Sequence, residues 1–236
     1  MKKNTKVARE EAIVVDKYEN GSIVEAYNRL RDNILYFSLD GNNRVIQIES
    51  SLASEGKTTL ATNLSVSLAQ ANKKVVIVDL DFRKARTHRP FRVENVDGLT
   101  DYLIDKVSYE KMVKKTEYGV DLINRGSSIQ NTISVLTSDK FKNLIKELKE
   151  KYDYVILDCP PVLVVSDYIH IGQVSDCCLF VVAHGITKKA QVKEAINELK
   201  KNNINIIGNV FTFYNATKDQ KGYGYGYGYY EYKDRD

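Results

Sequence analysis

The stretch Val45-Ile46-Gln47-Ile48-Glu49-Ser50-Ser51-Leu52-Ala53-Ser54-Glu55-Gly56-Lys57-Thr58-Thr59-Leu60 decides the fold. Val45–Ile48 reads as a short apolar strand. Lys57–Ala71 reads as a helix with Leu60, Leu64 and Leu68 on one face. Between them, Ser51 to Thr58 follows the phosphate-loop pattern G-x-x-x-x-G-K-[ST] with only the first glycine replaced, by Ser51. A tight turn between strand and helix aims backbone N–H groups and a helix N-terminus at phosphate oxygens. Gly56 permits close backbone approach, Lys57 reaches the phosphates and Thr58 offers a hydroxyl to a metal ion. Ser54, Glu55, Gly56, Lys57, Thr58 and Thr59 are therefore the candidate nucleotide-binding residues.

Working outward, short apolar runs alternate with helical segments. Further strands are expected at Val75–Val78, Val120–Ile123, Tyr154–Leu157, Cys178–Val182 and Ile204–Val210, and helices at Asp139–Lys151 and Lys188–Lys201. Near-continuous apolar strands separated by amphipathic helices imply a mostly parallel sheet covered on both faces, an α/β three-layer P-loop NTPase fold. Val76-Ile77-Val78-Asp79-Leu80-Asp81 ends one strand with two acids, and Tyr154-Val155-Ile156-Leu157-Asp158 ends another. A lone Asp after a strand is ordinarily a turn residue. Three at the carboxyl edge, downstream of a phosphate loop, fit a Mg-nucleotide site.

Upstream, residues 1–21 are polar and read as an extended or loosely held arm. Ser22-Ile23-Val24-Glu25 reads as a helix start, with Ser22 as N-cap and Glu25 at the capping-box position. Ile23, Ala26, Tyr27, Leu30 and Ile34 recur at helical spacing until Gly41-Asn42-Asn43 turns the chain. The expected organisation is an arm at 1–21, a helix and possible oligomerisation element at 22–41, the P-loop domain at 42–215, and a tail at 216–236. That tail contains KGYGYGYGYYEYKDRD, six of the sixteen tyrosines of the chain. Alternating glycine and the lack of aliphatic residues predict a flexible, low-complexity segment.

Composition bounds the rest. The chain has 236 residues, 43% hydrophobic and 28% charged, with 35 basic against 31 acidic side chains and a net charge of +4. This is an ordinary soluble balance, and with no basic helix it gives no support to nucleic-acid binding. No apolar run is long enough to span a membrane, and Met1-Lys2-Lys3 is not followed by a signal-peptide core. Cys159, Cys177 and Cys178 sit in apolar runs without metal-ligand spacing, as reduced core residues do.

The phosphate loop, the V-V-I-V-D-L-D motif at 75–81 and L-D-C-P-P-V at 157–162 together resemble the bacterial tyrosine kinases that regulate capsule and exopolysaccharide synthesis, in their stand-alone cytoplasmic form. The resemblance extends through Glu25-Ala26-Tyr27, Arg83-Lys84, Gly98–Leu103 and the tyrosine-rich end. Related septum-placement and partition ATPases have no such end, and carry a lysine where this chain has Leu52. The resemblance implies ATP and Mg²⁺ as cofactors, Thr58, Asp81 and Asp158 as the Mg²⁺ ligands, directly or through water, Lys57 and Asp79 as catalytic residues, and Asp79 orienting or accepting the proton of a tyrosine hydroxyl. It implies Tyr223, Tyr225, Tyr227, Tyr229, Tyr230 and Tyr232 as phosphoacceptors, modified within a ring-shaped homo-oligomer. It further implies a transmembrane modulator that recruits a cytoplasmic kinase to the inner face of the membrane, a cognate phosphatase, and polysaccharide-synthesis proteins as substrates.

The chain departs from the family in several places. Its ring-assembly motif E-x-x-R-x-x-R has Asn28 at the first arginine, leaving Glu25, Arg29 and Arg31 as candidates; Glu25 also suits the capping role. Ala53-Ser54 stands where relatives have Pro-Gly. The place of the adenine-reading asparagine falls at Thr212. Two other readings share the nucleotide site: an ATPase switch without kinase activity, and a nucleotide-binding adaptor that presents its tail.

Overall fold

The computed structural model describes residues 13–16 and 21–214. The tyrosine cluster expected to be phosphorylated lies outside them. Helix α1 (Ser22–Phe37) is followed by β1 (Val45–Ser50), α2 (Lys57–Gln70) and β2 (Val75–Asp79). Then come α3 (Leu99–Leu103), α4 (Tyr109–Met112), β3 (Lys114–Lys115), β4 (Val120–Ile123), α5 (Thr132–Leu136) and α6 (Asp139–Lys151). The chain continues through β5 (Tyr154–Asp158), α7 (Asp167–Gly172), β6 (Cys177–Ala183), α8 (Lys189–Lys201) and β7 (Ile206–Thr212).

The strands form one sheet in the order β3-β4-β2-β5-β1-β6-β7, with every pairing parallel except β3 against β4. Successive side chains of a strand face opposite ways, so each central strand feeds two cores. Ile46 and Ile48 of β1, Ile77 of β2 and Ile156 of β5 pack with Ile34 of α1 and Leu60, Leu64 and Leu68 of α2. On the other face, Val76, Val78, Val155 and Leu157 meet Phe141, Leu144 and Leu148 of α6 and Ile171 of α7. Cys178 and Phe180 of β6 meet Ala195 and Leu199 of α8. This is the expected three-layer α/β P-loop fold. The three cysteines are buried and free.

Two expectations are corrected. The start of α1 lies one residue earlier than read: Gly21 is the N-cap, without a side-chain bond, and its carbonyl accepts from the Glu25 N–H at 3.0 Å. The region read as a loosely held arm also contributes to the core. Ile13 and Val15 are buried, and Asn63 of α2 accepts the Val14 N–H at 2.7 Å through its side-chain oxygen. Two apolar residues and a satisfied amide outweigh the polar character of their neighbours. Among the described residues, no helix is long and apolar enough to cross a membrane.

Candidate nucleotide site

Strand β1 delivers the chain to the carboxyl edge of the sheet at Ser50, and α2 leaves from Lys57. The intervening loop needs two left-handed residues: Gly56, the N-cap of α2, has φ +93°, and Ser54 has φ +65°. Glycine tolerates this region freely, whereas serine is strained by its Cβ. The Lys57 ammonium rests on the Ser50 hydroxyl at 2.9 Å, and that hydroxyl donates to the Leu52 carbonyl at 2.8 Å. Glu55 is only 2% exposed, and its carboxylate accepts the Leu52 N–H at 3.1 Å and the Thr187 hydroxyl. The loop is thereby closed on itself, with the first turn of α2 beneath it.

Thr58 opens that turn and donates its hydroxyl to Asp158 Oδ2 at 2.7 Å. Thr87 donates to the same oxygen at 3.2 Å, while Asp158 Oδ1 is buried without a partner among the described residues. Asp158 ends β5 directly beside Asp79, which ends β2. The sheet order thus brings the two strand-end acids together. Asp79 is fully buried and accepts three backbone N–H groups, from Asp81 at 3.2 Å, Arg86 at 3.0 Å and Thr87 at 3.1 Å. Asp81, partly exposed, accepts the N–H groups of Arg83 and Lys84 at 3.2 and 2.9 Å. In this conformation, then, the two acids of the second motif organise the loop at 81–87.

Burial raises the carboxyl pKa of Asp79, and the neighbouring Asp158 raises it further, against the hydrogen bonds from Thr87. Burial likewise raises Asp158, opposed by the Thr58 hydroxyl and by Lys57. Two adjacent carboxyls that resist ionising together, one with an orphaned oxygen, form an electrostatic well for a cation. A threonine hydroxyl and carboxylate oxygens are the hard donors that Mg²⁺ takes. The residues present therefore fit that ion.

Several contributing residues were not read from the sequence. Ser50, adjacent to the motif, was within reach of that reading. Thr87, Thr187 and the loop-facing role of Thr212 were not, because no spacing connects them to it. Arg83 lies beside the site with its guanidinium on the buried Asp167 at 2.7 Å. The oligomerisation candidates lie apart from the loop, on α1. Arg29 pairs with Glu25 one turn away at 3.1 Å, and Arg31 bonds Asn28 Oδ1 at 3.0 Å.

Comparison with known proteins agrees with this geometry. Residues 43–206 match the AAA domain family model. The tyrosine-protein kinase YwqD of Bacillus subtilis is 38% identical over 172 residues, 72% of this chain and 73% of the relative. The tyrosine-protein kinase ptk of Acinetobacter johnsonii is 33% identical over 89% of this chain, which spans only 29% of that relative's length. Among solved structures, the chimerical protein CapA2B2 superposes with a TM-score of 0.81 and 31% identity, covering 84% of this chain and 88% of the other. A more distant likeness is the septum site-determining protein MinD of Pyrococcus horikoshii complexed with Mg-ADP, with a TM-score of 0.61 and 27% identity over 71% of this chain and 69% of that one. The chain belongs to the AAA domain family and, within it, to the bacterial tyrosine-protein kinases.

Proposed function

We propose that the chain is a Mg-ATP-dependent protein-tyrosine kinase acting in the regulation of capsular and exopolysaccharide synthesis, with its own C-terminal tyrosines as acceptors. The observation that carries the reading is the pairing of Thr58 with Asp158 at 2.7 Å, beside a buried carboxylate oxygen that has no partner, at the mouth of the phosphate loop. The tyrosine-protein kinases to which the chain is similar supply the acceptor class.

Phosphoryl transfer needs positioning and charge neutralisation more than strong base chemistry. The first-turn amides of α2 and the loop backbone hold the phosphates. Lys57 exchanges the Ser50 hydroxyl for a phosphate oxygen. Thr58, Asp81 and Asp158 hold Mg²⁺, which when bound neutralises charge on the transferred group. Asp79 orients the acceptor hydroxyl or takes its proton. Its Oδ1 accepts a single backbone N–H and keeps an acceptor position, but the residue is fully buried, so access to it requires the 81–87 loop to move. The acceptors are Tyr223, Tyr225, Tyr227, Tyr229, Tyr230 and Tyr232, offered in trans within a homo-oligomer assembled partly through Glu25, Arg29 and Arg31. A transmembrane modulator is the proposed activator and brings the kinase to the inner membrane face. Six phosphotyrosines add about −9 to −12 charges, more than the +4 of the chain, so phosphorylation drives the subunits apart until a phosphatase resets them.

The test is mass spectrometry of the tryptic segment 222–233 after incubation with Mg-ATP, with and without the modulator's cytoplasmic segment, and as Lys57→Ala. Added phosphates that vanish in Lys57→Ala are the expected result. An unmodified segment in every condition, with ATP still hydrolysed, refutes the kinase reading in favour of an ATPase switch.

A further inference from the structure

The phosphate loop is held in place from outside by hydroxyls that no phosphate-site motif contains. Thr212, the last residue of β7, donates its hydroxyl to the Glu55 carbonyl at 2.7 Å, with the Val182 carbonyl at 3.5 Å. Thr187, in the connection from β6 to α8, donates to the Glu55 carboxylate. The main chain of Glu55 is therefore anchored to the edge strand β7 and its side chain to the β6–α8 connection, 157 and 132 residues away in sequence.

The carbonyl contact has a geometric consequence. A peptide unit is planar and trans, so its N–H points opposite to its C=O. A hydroxyl that holds the Glu55 carbonyl toward β7 thereby turns the Gly56 N–H away from β7. Gly56, at φ +93°, has no Cβ to resist a flip of this peptide. Its nearest neighbour on that side is again Thr212: a Cβ built on Gly56 meets Thr212 Cγ2 at 3.0 Å.

We propose that Thr212 is a positioning residue for phosphate binding, its hydroxyl locking the Glu55–Gly56 peptide so that the Gly56 N–H faces the phosphates of a bound nucleotide. This rests on the nucleotide-site reading and not on the identity of the acceptor. It also assigns position 212 a different task from the adenine reading that the family resemblance suggested, because the hydroxyl is already engaged by the loop. A locked donor serves every nucleotide alike, whereas a base reader discriminates between them.

The experiment measures Kd for Mg-ADP and Mg-GDP by calorimetry on the full chain as wild type, Thr212→Val and Thr212→Ser. Valine keeps the branched shape and loses only the hydroxyl. Thr212→Val is expected to weaken ADP and GDP by the same factor, about 5- to 10-fold, the order of one hydrogen bond. Thr212→Ser is expected to stay within about twofold of wild type, since it restores the donor. Unchanged affinity in Thr212→Val overturns the proposal, as does a loss confined to ADP, which would make the position a base reader. Should Thr212→Val fail to fold, Thr212→Ala carries the same comparison. A wild-type chain that binds neither nucleotide overturns the nucleotide site itself. Binding that follows the expected pattern in a chain without phosphotransfer refutes the kinase reading alone.

Discussion

Replacing Glu49 with glutamine tests the electrostatics beneath the phosphate loop. Glu49 is fully buried in β1, one residue before the strand end, and neither carboxyl oxygen meets a hydrogen bond of good geometry. Facing it are Lys57 from α2, Asp158 and Cys159 at the end of β5, Asp167 and Tyr168 of α7, and Cys178 of β6. Burial pushes its pKa well above the usual 4.5, while Lys57 and the nearby Cys159 thiol pull it back. The sign of the linkage follows. Below the unfolded-state pKa the carboxyl is protonated in both states. Above it, the unfolded chain releases a proton that the folded chain keeps, so wild-type stability falls with pH until the folded-state pKa is reached. The slope in that window is about 1.4 kcal/mol per pH unit. Glu49→Gln keeps the shape and removes the titration. Its advantage over wild type should widen by up to about 2.7 kcal/mol between pH 5 and pH 7, or roughly 5–10 °C in Tm for a domain of this size. Asp79 and Asp158 titrate in both proteins and largely cancel in the difference. The assay is urea unfolding of both proteins at pH 5, 6 and 7 without nucleotide. A gap that stays constant across that range refutes the reasoning and means that Glu49 is ionised and paired with Lys57. A neutral Glu49 has a functional corollary, because it adds no negative charge where phosphates are to bind.

Three other perturbations probe the frame around the site. Arg83→Ala leaves the buried Asp167, among the described residues, with the Thr132 hydroxyl at 3.4 Å; discounting for the half-exposed arginine, it should cost about 1–3 kcal/mol in urea unfolding, and adding Asp167→Asn should recover part of the loss. Asp176 accepts the Arg44 and Val45 N–H groups at 2.9 and 2.8 Å and pairs with Lys149, which together hold its pKa below the usual value despite the opposing effect of burial. Asp176→Ala should therefore cost about 2 kcal/mol at pH 7, and the penalty should fade as acid carries the wild type through its lowered folded-state pKa. Ser54→Gly relieves a left-handed serine at about 1–2 kcal/mol but loosens the unfolded chain by about 0.4–1 kcal/mol, so a net gain below about 1.5 kcal/mol in unfolding free energy is expected. A loss on that substitution would show that the Ser54 Cβ supports the loop.

The sheet was legible where composition and length agreed. Val120–Ile123 and Asp139–Lys151 form at the bounds read from the sequence, the first as a short, mostly apolar run bounded by Gly119 and Asn124, the second as a three-turn amphipathic pattern. Ile204 was read as the start of β7, yet its N–H closes the end of α8 on the Leu199 carbonyl at 3.0 Å, and pairing begins at Ile206. Helices α3, α4, α5 and α7, of four to six residues, hold less than two turns and leave no periodic trace. Asp79 and Asp158 were found because strand ends in an open parallel sheet converge. Thr87, Thr187 and the phosphate-loop contact of Thr212 were not, because a lone hydroxyl carries no pattern and its partner is fixed only by the finished topology.

The glycine missing from the motif illustrates why the site is more than its loop. Ser51, where the pattern has its first glycine, is not among the residues with positive φ, so no left-handed turn demands glycine there. The position that does adopt positive φ besides Gly56 is Ser54, which the motif leaves unspecified. The strain at Ser54 opposes the loop's shape from within, by an amount comparable to one or two hydrogen bonds. What opposes that strain comes from Glu55, next in the chain: its carbonyl held by Thr212, its carboxylate by Thr187 and by the Leu52 N–H. Three contacts, two of them from outside the loop, outweigh one strained residue. The loop's conformation is thus a tertiary property: glycine is dispensable at Ser51 because no positive φ is needed there, and the strain at Ser54 is opposed by residues of β7 and of the β6–α8 connection that grip Glu55.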